Sequence, residues 1–242
     1  MNALEKHLPH LIELRQRLMI CLVAFGLVLA PLIYYSSQWY HLLAQPLLNS
    51  LPTGGMLIAT HVVTPFTAPL KLALFTTLAI IIPFILYHIW AFVAPGLYPT
   101  EKRTLLPLLL ISTLLFYSGM LFAHFCVCPL ALAFFSHIAP QGVTVMTDIT
   151  HYLDFILVLY FAFGISFQVP IITFVLCRVG ITSVAALKKH RPYIIVGAFV
   201  IGMLLTPPDV VSQILLAIPL LALFESGLWL TQWLAPKPAP TP

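Results

Sequence analysis

Charged residues are scarce in this chain of 242 residues. Seven acids and eleven bases make up 7% of it, while 61% is hydrophobic. A soluble globular domain carries about 25% charged residues, so this chain has too few to cover a water-facing surface of its size. The shortage argues against a soluble enzyme, a nucleic-acid-binding protein and a disordered chain. Lipid is therefore the predicted solvent for most of the sequence.

Sequence motifs for catalysis and metal binding are lacking as well. The nine histidines form no HExxH pair, and the chain has neither a GxSxG elbow nor a P-loop. Cys126 and Cys128 are two positions apart, which is the wrong spacing for a CxxC pair, and Cys21 and Cys177 lie in or beside apolar runs. We predict that all four cysteines pack as apolar side chains, with no catalytic residue, no metal, no cofactor and no nucleic-acid partner.

Long runs without charge predict membrane spans. A spanning helix needs about 20 apolar residues, and proline, glycine and polar clusters divide the longer runs. The sequence predicts an all-α integral membrane protein with a single membrane domain over residues 1–242. Its six predicted spans are residues 18–36, 71–93, 105–127, 153–177, 193–206 and 210–233.

The remaining segments are predicted to be interfacial or exposed. Residues 37–70 contain too many prolines and glycines to form a membrane span. A short interfacial helix is predicted within this segment, and a second one at residues 129–138. Residues 1–17 are polar, and no convincing cleavage site closes the apolar run that follows, so we expect a retained first span. Residues 234–242 are predicted to form a flexible tail.

The positions of the basic residues predict the orientation. With six spans, every base except Lys71 falls on the side of the chain termini. By the positive-inside rule, both termini and residues 1–17 are therefore predicted to be cytoplasmic.

Prolines predict that the helices are bent and that the last hairpin is short. The fifth span lies between Pro192 and Pro207, and the turn at residues 206–209 cannot continue a helix. A hairpin this short does not reach the outer water unless the bilayer thins. Pro83 and Pro170 predict kinks in the second and fourth spans, so we expect a bent, concave bundle.

Two polar residues are predicted to lie inside the membrane at similar depth. Gln168 and Glu225 each lie about fifteen residues into their spans, which both start from the outer face. An acid in lipid costs several kcal/mol unless it is paired, so it is a functional candidate. The alternative is a structural hydrogen bond between spans, which we favour for Glu225 because Trp229 and Gln232 place it near the interface.

The predicted cytoplasmic face carries three acids among its bases, namely Glu5, Glu13 and Glu101. A carboxylate can bind an arginine through two hydrogen bonds, so these acids are candidates for binding a cationic ligand. The alternative for Glu13 is an ion pair with Arg17, four residues later on the same helix. For Glu101 the alternative is a solvated loop charge.

Five separated segments, in order, resemble motifs of the TatC family, the polytopic subunit of the twin-arginine protein translocase. They are HLIELRQRL from His10, WAFVAPGLY from Trp90 with the following Glu101-Lys102-Arg103, SFQVP from Ser166, RPY from Arg191, and GMLLTPPD from Gly202. The resemblance covers about residues 8–233, essentially the whole chain.

The resemblance implies a six-span, cup-shaped bundle in the bacterial inner membrane. It implies a receptor that binds the twin-arginine signal peptides of folded cargo together with TatB. It further implies recruitment of TatA for export driven by the proton gradient, and assembly with other copies of TatC. The role implied is not enzymatic.

The resemblance also carries residue roles over by motif. It implies signal-peptide binding by Glu13, Arg15, Arg17, Phe92, Glu101 and Arg103, and functional outer-loop positions at Pro46 and Asp209. Gln168 falls where many members have Glu, so a proton-relay role is not implied there, and a polar contact to a TatA or TatB helix is the remaining expectation. Our hypothesis is that Glu13 and Glu101 accept the two signal arginines.

The residues alone leave two other functions open. A secondary transporter or small channel would favour inverted repeats and charged groups at the bilayer midplane, and we find neither a convincing internal repeat nor such a cluster. An intramembrane enzyme would need a catalytic pair at one depth, and Gln168 with Glu225 is poor chemistry for that.

Overall fold

Helices account for nearly all of the chain that the computed structural model describes. The described residues are 3–36, 38, 56–58, 62–93, 105–138, 146–205 and 210–234. The helices are α1 (Ala3–Tyr34), α2 (Thr64–Val93), α3 (Leu105–Phe122), α4 (Cys128–Ile138), α5 (Ile149–Ser166), α6 (Val169–Arg178), α7 (Val184–Lys189), α8 (Arg191–Leu205) and α9 (Val210–Leu234). A π-helix, Ala123–Val127, joins α3 to α4, and β1 (Met56–Ile58) and β2 (Met146–Asp148) are short strands.

Among the described residues, five helical segments are long and apolar enough to cross a membrane. They are Leu11–Tyr34, Thr64–Val93, Leu106–Ala133, Ile149–Arg178 and Gln213–Trp233. Helices suit these apolar runs because every backbone hydrogen bond is made within the segment, where lipid offers none. The five segments overlap five of the six predicted spans, while the bounds of the spans, six crossings and cytoplasmic termini stay predictions.

The predicted fifth span, residues 193–206, corresponds to the shorter helix α8. Its 15 residues extend about 22 Å at 1.5 Å per residue, against about 30 Å for a bilayer core. The short hairpin expected from Pro192 and Pro207 therefore begins with a helix of the expected length.

Two helices differ from the predicted spans at a proline. Helix α2 begins at Thr64, before the predicted start of the second span at residue 71, since Pro65 is tolerated in the first turn of a helix. Residues 129–138 do not form a separate interfacial helix, because α4 continues from the π-helix and the apolar segment reaches Ala133. A π-turn widens the helix just before Pro129, which cannot donate a backbone hydrogen bond.

The two prolines predicted to kink their helices differ in the structure. The kink expected at Pro170 appears as a two-residue turn between Ser166 and Val169, with Pro170 in the first turn of α6. Pro83 lies within an unbroken α2. The interfacial helix expected around residues 39–47 and the tail after residue 234 lie outside the described residues.

The first of two units contains the described residues among 1–113 and 139–154. In it α1 packs along α2, and the indole of Trp90 donates a hydrogen bond to Ser112 Oγ at 2.9 Å. Strand β1 pairs in parallel with β2, with Met56 opposite Met146 and Ile58 opposite Asp148. This strand pair was not expected from the sequence, which otherwise correctly predicted an all-helical architecture.

The second unit contains the described residues among 114–138 and 155–242, and in it α9 packs against α6 and α8. Glycine allows its helices to approach closely. A Cβ added at Gly119 would lie 2.6 Å from the carbonyl oxygen of Phe163, and one at Gly227 would lie 2.8 Å from Pro170 Cα. Both distances are shorter than van der Waals contact, so these positions fix the separation of their helices.

Candidate functional site

An ion pair on α1 forms the centre of the candidate site. Arg17 donates to Glu13 Oε1 from Nη2 at 2.7 Å and from Nε at 3.0 Å. The two residues are four apart, so they share one face of the helix. Their side chains are 25% and 36% exposed for Arg17 and Glu13 respectively, which leaves the pair within reach of water. The intrahelical pair considered from the sequence is therefore present.

Arg17 also connects the pair to α2. Its Nη2 donates a hydrogen bond to the carbonyl oxygen of Ala91 at 3.5 Å. Ala91 directly precedes Phe92 near the end of that helix. The first unit thus brings Glu13 and Arg17 next to the backbone that carries Phe92. Arg15 is exposed on α1. Glu101 and Arg103 lie outside the described residues, so their approach to Glu13 stays a prediction.

His88 lies one turn before Phe92 on α2 and was not among the predicted site residues. Its imidazole stacks edge-on against Phe84, with ring centroids 4.6 Å apart. Its Nδ1 is buried and has no hydrogen-bond partner among the described residues. The only sequence signal for it was its spacing from Phe92, four residues later.

Gln168 is buried in the second unit, at 7% exposure. It occupies the turn between α5 and α6, where its backbone N–H donates to Ile165 at 2.9 Å and its carbonyl accepts from Ile172 at 2.9 Å. Thr173, one turn further along, is also buried. An amide buried at this break is suited to hydrogen bonding between helices.

Glu225 is neutralised by a partner that sequence reasoning did not identify. Its Oε2 accepts a hydrogen bond from Arg191 Nη2 at 2.6 Å, which joins α9 to the start of α8. Both side chains are a little over 40% exposed. The geometry agrees with the structural role favoured for Glu225, because a charge at a span end is satisfied by its neighbour.

A second missed ion pair lies in the first unit. Lys71 Nζ is 2.7 Å from both carboxylate oxygens of Asp154 and so joins α2 to α5. Nearby, Asp148 Oδ1 accepts the backbone N–H groups of Thr150 and His151 at 2.7 and 3.2 Å, which caps the start of α5. Lys71 and Asp154 are 83 positions apart in the chain, so the sequence does not pair them.

Another polar contact between predicted spans was not identified from the sequence. In the second unit His124 Nδ1 lies 2.6 Å from the hydroxyl of Tyr160, and His124 belongs to the π-helix. Pro46 and Asp209 lie outside the described residues. Among the described residues no group of three or more His, Cys, Asp or Glu side chains is placed to hold a metal ion.

Comparison with known proteins gives one consistent family. The family model for the Sec-independent protein translocase protein (TatC) matches residues 9–219. The Sec-independent protein translocase protein TatC of Haemophilus influenzae is 53% identical over 230 residues, which cover 95% of this chain and 90% of that protein. Its counterpart from Escherichia coli K12 is 51% identical over 230 residues, with 95% and 89% covered.

The fold matches solved structures as well. A crystal structure of the twin-arginine translocase receptor TatC superposes with a TM-score of 0.83 at 40% sequence identity, and the match covers 93% of this chain and 98% of that one. The secondary transporter, the small channel and the intramembrane enzyme considered from the sequence are therefore set aside. The motifs, the helical architecture and these matches agree, and the chain belongs to the TatC family of Sec-independent protein translocase proteins.

Proposed function

We propose that the chain is the receptor subunit that binds twin-arginine signal peptides of folded cargo at the cytoplasmic face of the bacterial inner membrane. The solved structure that it resembles is of a twin-arginine translocase receptor. The proposed topology has six crossings and cytoplasmic termini. It is supported by the one-sided distribution of the bases, with Lys71 alone on the far side.

The observation that carries the proposal is the guanidinium of Arg17 on the carboxylate of Glu13. It shows that this carboxylate binds an arginine, since two nitrogens of the planar guanidinium both donate to Oε1, an arrangement that the single ammonium of lysine cannot reproduce. A signal arginine has the same chemistry. Because the pair is partly exposed, an arriving arginine can reach the carboxylate of Glu13 from the water side.

The remaining residues of the proposed site complete a binding surface for two arginines. The carboxylate of Glu101 binds the second signal arginine. Phe92 follows Ala91, whose carbonyl oxygen accepts a hydrogen bond from Arg17, and its apolar side chain contacts the peptide. Arg15 and Arg103 flank the peptide. The role requires binding and release alone, so no covalent step is assigned to any residue.

Partners and outer-loop roles are part of the same proposal. TatB completes the receptor, TatA is recruited for export driven by the proton gradient, and further copies of the chain assemble with it. Gln168 is proposed to contact a TatA or TatB helix by hydrogen bonding, because a neutral amide has no proton to relay. Pro46 and Asp209 are proposed to act in the outer loops.

The short hairpin of α8 and α9 is proposed to thin the outer leaflet. Its first helix is about 8 Å shorter than a bilayer core of about 30 Å. Mismatch costs fractions of a kcal/mol per Å, and local thinning relieves it. A thinner leaflet lowers the barrier to a large folded cargo.

Reversing the charge at either proposed arginine acceptor tests the receptor function. Glu101→Lys and Glu13→Lys are each expected to abolish photocrosslinking to a twin-arginine signal peptide in membranes, because two cations then face each other. Glu5→Lys makes the same charge change in the same N-terminal segment and is expected to crosslink normally. Membrane insertion of each variant is checked by carbonate extraction. Unchanged crosslinking in inserted Glu101→Lys or Glu13→Lys would remove that acid from the role.

A further inference from the structure

The segment that joins α6 to α8 concentrates positive charge. We call residues 178–191 the basic elbow, and its bases are Arg178, Lys188, Lys189 and Arg191. It contains no Asp or Glu. The proposed receptor function does not use this positive charge, because it would repel the arginines of a signal peptide.

The basic elbow is held in a defined conformation by its own backbone. After α6, Gly180 takes a positive φ of 81°, and the N–H groups of Ile181 and Thr182 return to the carbonyl of Leu176 at 3.1 and 3.4 Å. Ser183 then caps α7, its side-chain oxygen accepting the N–H of Ala186 at 3.2 Å. The charges are therefore presented on an ordered turn that packs against α8 and α9.

Among the described residues, the two lysines of the elbow form no ion pair. Glu225 pairs with Arg191, and the guanidinium of Arg178 lies 6.0 Å from the ring centre of Phe174. Lys188 and Lys189 are both exposed in the last turn of α7. Two adjacent ammonium groups on one ordered turn favour an anionic ligand.

Aromatic side chains indicate the depth at which the basic elbow lies. Trp229 and Trp233 follow Glu225 by four and eight residues, so all three share the face of α9 that meets Arg191. The two indoles are 73% and 89% exposed, and Tyr193, just inside α8, is 75% exposed. Exposed tryptophan and tyrosine at a span end are typical of the headgroup level of a bilayer.

We propose that the basic elbow, with Trp229 and Trp233 beside it, binds the headgroups of anionic phospholipids. A ligand that meets the lysines and the indoles together needs a negative group above an apolar body, and an anionic phospholipid has both. An acidic protein segment matches the lysines but not the exposed indoles. This binding is separate from the proposed signal-peptide function and uses none of its residues.

Anchoring at this end has a consequence for the short hairpin. Headgroups held at Lys188 and Lys189, just before Arg191, fix the start of α8 at one surface. The whole shortfall in the length of α8 then falls at its Leu205 end. Lipid binding at the basic elbow would thus direct the proposed thinning to the opposite leaflet.

Spin-labelled lipids test this inference with the full chain in bilayers. The measurement is the association constant of phosphatidylglycerol relative to phosphatidylcholine, by electron paramagnetic resonance, for the wild type and for the double variant Lys188→Gln/Lys189→Gln. The matched control is Lys6→Gln/Lys237→Gln, which removes the same charge from elsewhere on the predicted cytoplasmic side. We expect a preference for phosphatidylglycerol in the wild type that falls about fivefold in the elbow variant and persists in the control.

The preference should also weaken as salt is added, because salt screens exposed charges. No preference in the wild type, an unchanged preference in the elbow variant or an equal fall in the control would each overturn the proposal. Retention of an acidic peptide by the detergent-solubilised wild type, without a headgroup preference in bilayers, would also overturn it and assign the basic elbow to a protein partner. A signal peptide that failed to crosslink would leave this result unaffected.

Discussion

At the scale of single residues, six charged side chains in the described part of the chain form three ion pairs. Glu13 pairs with Arg17, Asp154 with Lys71 and Glu225 with Arg191. The first pair was predictable because its members are four residues apart on one helix. The other two join residues 83 and 34 positions apart in the chain, and only the packing of the helices brings them together.

Neutralising Glu13 is expected to weaken signal-peptide binding. Glu13→Gln removes the charge that strengthens each hydrogen bond to a guanidinium, so the affinity for a twin-arginine peptide should fall about tenfold or more. Fluorescence anisotropy of a labelled peptide with the detergent-solubilised chain measures this. Glu5→Gln, the same change elsewhere on the N-terminal segment, should leave the affinity within a factor of about two. Equal affinities for the two variants would argue against a role for Glu13.

The Lys71–Asp154 pair is expected to stabilise the first unit modestly. Both side chains are more than a third exposed, so a double-mutant cycle with Lys71→Met and Asp154→Asn should give a coupling energy of about 0.5–1 kcal/mol. The free energy of unfolding is measured by titration with sodium dodecyl sulfate. Purely additive effects of the two substitutions would show that the contact adds nothing to stability.

At the scale of helices, the long apolar runs without charge predicted where five long helical segments lie. The reason is that lipid offers no hydrogen bonds to the backbone, so a spanning segment has to be a continuous helix. These runs did not predict where the helices begin or end next to a proline. Pro65 starts α2 instead of preceding it, and Pro129 follows a π-turn instead of starting a new element. The strand pair of Met56–Ile58 with Met146–Asp148 also escaped prediction, since three-residue strands carry no usable pattern.

Close helix contact at Gly119 is expected to be essential to the second unit. A Cβ there would lie 2.6 Å from the carbonyl oxygen of Phe163, so the backbone of α5 would have to move. Gly119→Ala should therefore destabilise the protein by about 1–3 kcal/mol, measured by the same unfolding titration. Gly197→Ala is the matched control, because a Cβ added at Gly197 meets nothing within 4 Å. It should be neutral or stabilise by up to about 1 kcal/mol. A loss of stability at Gly197 equal to that at Gly119 would contradict this account.

At the scale of the whole molecule, scarcity of charge indicated a membrane protein and the motifs indicated its family, which the comparisons confirm. The binding site was predictable only in part. Glu13, Arg17 and the backbone beside Phe92 come together in the structure, whereas His88 carried no signal beyond its spacing from Phe92. Burial of Gln168 in a turn depends on neighbouring helices that the sequence does not identify.

Accessibility labelling checks the proposed topology. Lys102→Cys and Thr53→Cys are each introduced into a chain whose four native cysteines are replaced by alanine. An impermeant maleimide should label position 53 in intact spheroplasts and position 102 only after the membrane is permeabilised. The reason is that the positive-inside rule predicts a cytoplasmic location for residues 94–104, between the second and third predicted spans. Labelling of position 102 from outside would reverse the orientation and remove the proposed cytoplasmic binding surface.

The most direct measurement for the receptor proposal is the affinity of the detergent-solubilised chain for a signal peptide with its two arginines intact or both replaced by lysine. If carboxylates read the guanidinium fork, the arginine peptide should bind about tenfold or more tightly than the lysine peptide, although their net charges are equal. Equal affinity for the two peptides, or binding of neither, would contradict the account.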